Sequence, residues 1–151
     1  MKSIHGGDIY NNKVNMDFSV NINPLGIPHS VKEAMSDALS YADRYPDMAC
    51  SGLKKAISEY FTQQGCSIQS EDVIPGNGAS ELFMAIAHAI KPQKAVLLAP
   101  GFFGYEHVLR AVGCDIGYFL LDEQSEFCPA ARLYALMDML TDDTDIFFIA
   151  N

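Results

Sequence analysis

Two glycine-bearing turns in this sequence carry residue types that hold an anion and a flat ring. The first, Gly76-Asn77-Gly78-Ala79-Ser80-Glu81, follows the short apolar pair Val73-Ile74 and opens onto the mostly apolar run Leu82 to Ile90. Glycine lets the backbone approach a ligand closely, and the free amides and dipole of a helix start favour negative charge such as a phosphate. Ser80 adds a hydroxyl donor. Taken alone, the segment reads sooner as an ordinary strand-to-helix turn capped by Ser80. No Gly-Lys-Ser/Thr follows, so it is not a P-loop, and the three-glycine spacing of a dinucleotide fingerprint is absent.

The second turn, Pro100-Gly101-Phe102-Phe103-Gly104-Tyr105, follows the apolar run Ala95 to Ala99 and so falls at the same end of a parallel sheet. An aromatic ring placed there can stack on a heteroaromatic ligand, or can simply close a core. Arg44-Tyr45-Pro46-Asp47 offers a phenol and a guanidinium, or a plain polar turn. His5, His29, His88 and His107 share no spacing, and only His5, followed by two glycines, invites a functional reading. The four cysteines form no C-x-x-C pair and no metal spacing, which points to reduced thiols. The seven methionines read as core filler.

The elements that must position these residues alternate. Residues 1–28 are rich in turn formers and read as an extended arm. Ser30-Val31-Lys32-Glu33 has the pattern of a capping box, predicting a helix to about Ser40, and Pro46 breaks it. Ser51 is placed to cap a helix with an apolar stripe of Leu53, Ala56, Ile57, Tyr60 and Phe61, ending near Gly65. Beyond it the pattern predicts a strand at 73–74, a helix over 80–90, a strand over 95–99 and a helix over 105–112. A strand over 115–121, a helix over 130–140 and a strand over 145–150 complete it. Apolar strands separated by helices predict an α/β domain with a mainly parallel sheet covered on both faces, a three-layer α/β/α arrangement over 29–151.

Composition narrows the class. With 49% hydrophobic and 19% charged residues in 151, the chain is of globular type and long enough for one core. A net charge of −9 argues against nucleic-acid binding, so an anionic ligand has to be held by local geometry. Apolar runs such as Leu82 to Ile90 are far too short to span a bilayer, which takes about 20 residues. No apolar h-region follows Met1-Lys2-Ser3-Ile4, so no signal peptide is read and a cytoplasmic location is expected.

Five segments in order, His5-Gly6-Gly7-Asp8, Asp17 through Gly26 (DFSVNINPLG), Arg44-Tyr45-Pro46-Asp47, Gly76 through Glu81 and Pro100-Gly101-Phe102, give the chain a family look. It resembles the fold-type I pyridoxal-phosphate (PLP) enzymes, in the branch of histidinol-phosphate aminotransferase and threonine-phosphate decarboxylase. The His-Gly-Gly start and the Asn-Ile-Asn-Pro-Leu-Gly segment are nearer the decarboxylases. The resemblance implies that Gly78, Ala79 and Ser80 hold the PLP phosphate and that Phe102 stacks on the pyridine ring. It implies that Tyr45 reaches the cofactor phosphate of the other subunit in a homodimer, and that His5, Asn21 and Asn23 lie near the substrate. The substrate implied is a small amino acid, phosphorylated or not.

The same resemblance places the cofactor-bearing lysine, the aspartate for the ring nitrogen and the arginine for the substrate carboxylate further along than residue 151. Asn151 falls just before the family's cofactor-binding asparagine and is given no role. The apolar run 145–150 has nothing after it to cover it, which reads as a chain cut short, carrying a phosphate cradle but no catalytic lysine. Two other readings stay open at this point. One is a phosphate- or nucleotide-binding α/β module, and the other a non-catalytic remnant of the PLP fold.

Overall fold

The computed structural model describes residues 6–11 and 13–150. The chain divides into two compact units, with the boundary between Met48 and Ala49.

In the first unit, the glycines after His5 have a local purpose, while His5 itself lies outside the described residues. A Cβ on Gly6 would fall on the backbone of Ser19, and Gly7 N–H donates to Ser19 Oγ at 2.8 Å. Asp17 in turn accepts from the Ser19 amide (2.8 Å) and hydroxyl (2.5 Å), which holds its carboxyl below the usual range. Further on, Asn23-Pro24-Leu25-Gly26 is a turn closed by Gly26 N–H to Asn23 O at 3.0 Å, with proline presetting its first corner. Helix α1 spans His29–Ala38. It starts one residue before the expected cap, with Pro28 in the cap position and no side-chain cap. Glu33 pairs with His29 Nδ1 at 3.2 Å, so the capping box read at Ser30 does not form.

The second unit opens with α2 (Ser51–Gln63), where Ser51 is the first helical residue and left-handed Cys50 is the cap. A 3-10 turn at Ser70–Asp72 follows, closed by Gln69 N–H to Asp72 Oδ2 at 2.9 Å. The strand expected at Val73-Ile74 is absent. A strand persists only beside a partner that takes up its amides, and among the described residues none pairs with these two, leaving Ile74 exposed.

From there the alternation holds: α3 (Ala79–Ile90), β1 (Lys94–Ala99), α4 (Phe103–Ala111), β2 (Asp115–Leu120), α5 (Leu133–Met139) and β3 (Ile146–Phe148). The helix predicted over 130–140 is split, a 3-10 turn at Pro129–Arg132 preceding α5, because proline fixes the opening turn. The sheet is parallel throughout, in the order β2-β1-β3, with Val96 facing Gly117 on one side and Phe147 on the other. Leu97, Ala95 and Ile146 pack under α3 and α4 with Ala87, Val108 and Leu109, whereas Val96, Phe119 and Phe147 pack under Leu136 of α5. This is the three-layer α/β/α arrangement, and it follows from strands apolar on both faces.

Polar contacts fix the two ends of the layers. At the amino end of the sheet, Asp145 Oδ2 accepts from the amides of Gln93 (2.7 Å) and Lys94 (3.0 Å), while Lys94 Nζ reaches Thr141 and Asp143. Between α4 and β2, Arg110 Nε bonds Glu106 at 2.7 Å and Arg110 Nη2 bonds Tyr118 at 3.2 Å. The Arg110 guanidinium holds the Glu106 carboxyl below its ordinary value, with burial opposing and Tyr118 assisting. The stabilisation is therefore complete above the ordinary value of 4.5 and is lost as pH falls through the lower, folded value. Unfolding midpoints in urea, followed from pH 6 down to about pH 3, should fall less steeply for Glu106→Gln than for the parent; equal slopes would show that the pair is not linked to folding.

Candidate functional site

The connections leaving the carboxyl ends of β1 and β2 pass to opposite faces of the sheet, α4 to one and α5 to the other. In open α/β sheets such a switch point leaves a crevice beyond the strand ends, where ligands bind. Ala99-Pro100-Gly101-Phe102 leaves β1 there. A Cβ on Gly101 would fall on the carbonyl oxygen of Leu98, so the tight bend after the strand needs glycine.

Phe102 is the cap residue of α4 and is 45% exposed. It meets the Tyr105 ring edge-on at 5.3 Å and the Phe83 ring at 6.3 Å. Tyr105 stacks on Phe148 at 4.5 Å with 13° between planes, and Phe83 meets both edge-on. Phe83 lies in the first turns of α3, so this cluster ties the start of α3 to the end of β1.

The start of α3 is a glycine-only conformation. Gly78 is its cap at φ 82°, ψ 168°, a region that side-chain-bearing residues avoid, and a Cβ there would point into open space. No side chain caps the helix. Its first amides, those of Ala79, Ser80 and Glu81, have no partner within a helix by geometry, and Ala79 and Ser80 are exposed. Ser80 is thus the second helical residue and not the cap. Glu81 reaches back to accept from the Asn77 amide, which closes the turn on that side. An uncapped helix start with an exposed hydroxyl beside it can hold a phosphate through backbone donors, and an aromatic face one strand end away can bear a flat ring.

Of the residues expected from the sequence, Gly78, Ala79, Ser80 and Phe102 lie in the second unit, where the ring of Phe83 in α3 links the helix to Phe102. Tyr45, Asn21 and Asn23 belong to the first. Tyr45 is fully exposed, and the neighbouring Arg44 lies over the Tyr41 ring at 5.1 Å. Asn21 is exposed. The Asn23 side chain is spent within its own turn, accepting from Leu25 N–H and donating to Gly26 O, each at 3.0 Å. Sequence reasoning missed Glu81, Phe83 and Tyr105. The acid at the third helical position was a readable sign of a reach-back contact, but nothing local marks Phe83 or Tyr105 apart from other core aromatics.

The profile of the aminotransferase class I and II family matches residues 13–151. The chain belongs to this family. It is 34% identical over 136 residues to the threonine-phosphate decarboxylase of Salmonella typhimurium, covering 90% of this chain and 35% of that protein. To histidinol-phosphate aminotransferase 1 of Mannheimia succiniciproducens it is 30% identical over 137 residues, covering 87% and 34%. In structure it superimposes on a double mutant of Thermus thermophilus aspartate aminotransferase with a TM-score of 0.70 at 22% identity, over 81% of this chain and 33% of that one. That likeness establishes the α/β fold. The chain spans about a third of the length of these relatives. Class I and II aminotransferases are pyridoxal-phosphate enzymes.

Proposed function

We infer that this aminotransferase-family chain is the cofactor-cradling N-terminal portion of a PLP-dependent enzyme acting on a small amino acid, with a phosphorylated amino acid as the favoured substrate. The observation that carries the reading is the uncapped, glycine-led start of α3, linked to Phe102 after β1 through the ring of Phe83. Gly78, Ala79 and Ser80 hold the cofactor phosphate through backbone amides and the Ser80 hydroxyl, and Phe102 supports the ring. PLP itself supplies an electron sink for charge developing at the substrate's α-carbon. Residues 1–28 act as an arm and 29–151 as the first part of the large domain. His5, Asn21 and Asn23 serve the substrate from the arm, Asn23 chiefly by fixing the turn that presents Asn21.

Decarboxylation of an amino-acid phosphate is the reaction favoured, and aminotransfer to an oxo acid is the other. Relatives of both kinds support the two readings, and the decarboxylase match has the higher identity and coverage. Incubating the complete protein with PLP and phosphorylated amino acids decides between them: release of carbon dioxide with the amine retained supports the first, and appearance of an oxo acid supports the second. Neither product, with PLP bound or not, would sink the enzymatic reading.

The complete enzyme is read as a cytoplasmic homodimer in which Tyr45 serves the neighbour's cofactor phosphate. Among the described residues no helix is long and apolar enough to cross a membrane. Mixing Tyr45→Phe subunits with subunits lacking the cofactor-bearing lysine should restore about one intact site per mixed dimer. If no ratio of the two recovers activity, Tyr45 works within its own chain or has no part in the site.

A further inference from the structure

Gly104 sits where helix propensity argues against it. It is the second residue of α4 and is buried, and its φ lies outside the left-handed region, so the backbone itself has no need of glycine. Glycine within a helix costs up to about 1 kcal/mol relative to alanine. What it provides here is space. A Cβ at 104 would fall on Cε1 of Phe102 and lie within 2.8 Å of Cζ and 3.0 Å of Cδ1, so one edge of the ring occupies the volume of the missing side chain. Phe102 caps the helix at φ −69°, ψ 121°, and its ring folds back over the first turn. Tyr105 and Phe83 limit it on the packed side, and Tyr105 is held by its stack on Phe148.

We propose that Gly104 is a positioning residue for Phe102: the bare backbone at 104 lets the ring lie back over α4, and this sets the surface on which the cofactor ring rests. The proposal depends on the reading of Phe102 given above. With alanine at 104 the ring has to move by about 1 Å or more to regain ordinary contact distance. Tyr105 and Phe83 lie against the ring, so the movement is away from them and toward solvent.

A double-mutant cycle in the complete protein tests this, with Gly104→Ala, Phe102→Ala and the pair, read by PLP affinity, by the circular dichroism of bound PLP and by the unfolding midpoint without PLP. Gly104→Ala is expected to weaken PLP about tenfold and to alter the dichroism of the cofactor. With Phe102→Ala already present, it should leave affinity unchanged and raise the midpoint, since the clash is gone and only the helix propensity remains. The double variant also controls for folding. Unchanged affinity and dichroism in Gly104→Ala would overturn the proposal, as would an equal loss of affinity in both backgrounds. If Phe102→Ala alone leaves PLP affinity intact, the stacking role falls and the proposal with it. That failure is recognisable because the two substitutions would still be coupled in the midpoint.

Discussion

Gly78→Val in the complete protein is expected to lower its affinity for PLP by about a hundredfold or more. At φ 82°, ψ 168°, the cap of α3 occupies a region that costs a side-chain-bearing residue roughly 1–3 kcal/mol. A β-branched residue is held out of it most strongly, so the turn relaxes and carries the amides of Ala79 and Ser80 off their aim. A misplacement of about 1 Å in a positioning element can by itself cost on the order of a hundredfold. The side chain would also fill the open space beside the helix start where the phosphate is to sit. Gly65→Ala is the control: Gly65 also has a positive φ, 85°, but lies in the turn after α2, so its substitution should cost stability and leave affinity alone. The measurement is a titration of each folded variant with PLP. Parent-like affinity in a folded Gly78→Val protein would remove the α3 start from the cofactor site.

The second large effect is a complete loss. Residues 1–151 by themselves are expected to turn over no amino acid, even at saturating PLP. Holding a phosphate and supporting a ring place the cofactor, whereas the chemistry also needs an amine that would carry the cofactor and move a proton at the substrate's α-carbon. In the second unit, Lys91 and Lys94 stand at the amino end of β1, and the strand alone separates Lys94 from Ala99 by roughly 16 Å at 3.3 Å per residue. Lys94 is moreover engaged with Thr141 and Asp143. Lys54 and Lys55 lie on α2, where Lys55 pairs with Glu59 at 3.8 Å. Reduction with borohydride in the presence of PLP, followed by peptide mapping, should give scattered, substoichiometric modification. A single stoichiometric lysine adduct accompanied by turnover would show that these residues carry a catalytic amine after all.

Much of this protein was determined by local chemistry and can be read along the chain. The apolar runs at 95–99, 115–121 and 145–150, separated by helix-length segments, already demand a parallel sheet with two covered faces, because strands without a polar side cannot face water. The glycine turn at 76–81 marks a helix start able to take an anion, since the permissive backbone and the free amides are properties of the turn itself. The bend after β1 is equally local.

The tertiary structure decided what depends on neighbours distant in sequence. Val73-Ile74 has strand-like residues but no partner to hydrogen-bond, so its fate lay outside its own sequence. Ser30 and Ser51 have the chemistry of caps, yet each helix begins at or before them, because the Pro28 corner and the left-handed Cys50 set the entry of the chain. The sequence likewise offered sixteen phenylalanines and tyrosines without saying which of them meet. Only packing of α3 and α4 on one face of the sheet gathers Phe83, Phe102, Tyr105 and Phe148, from three separate places in the chain, into one cluster. Gly104 shows the difference most plainly. In the sequence it is a mildly unfavourable helix residue, and its reason appears only when the ring of Phe102 is found in the space its side chain would have filled.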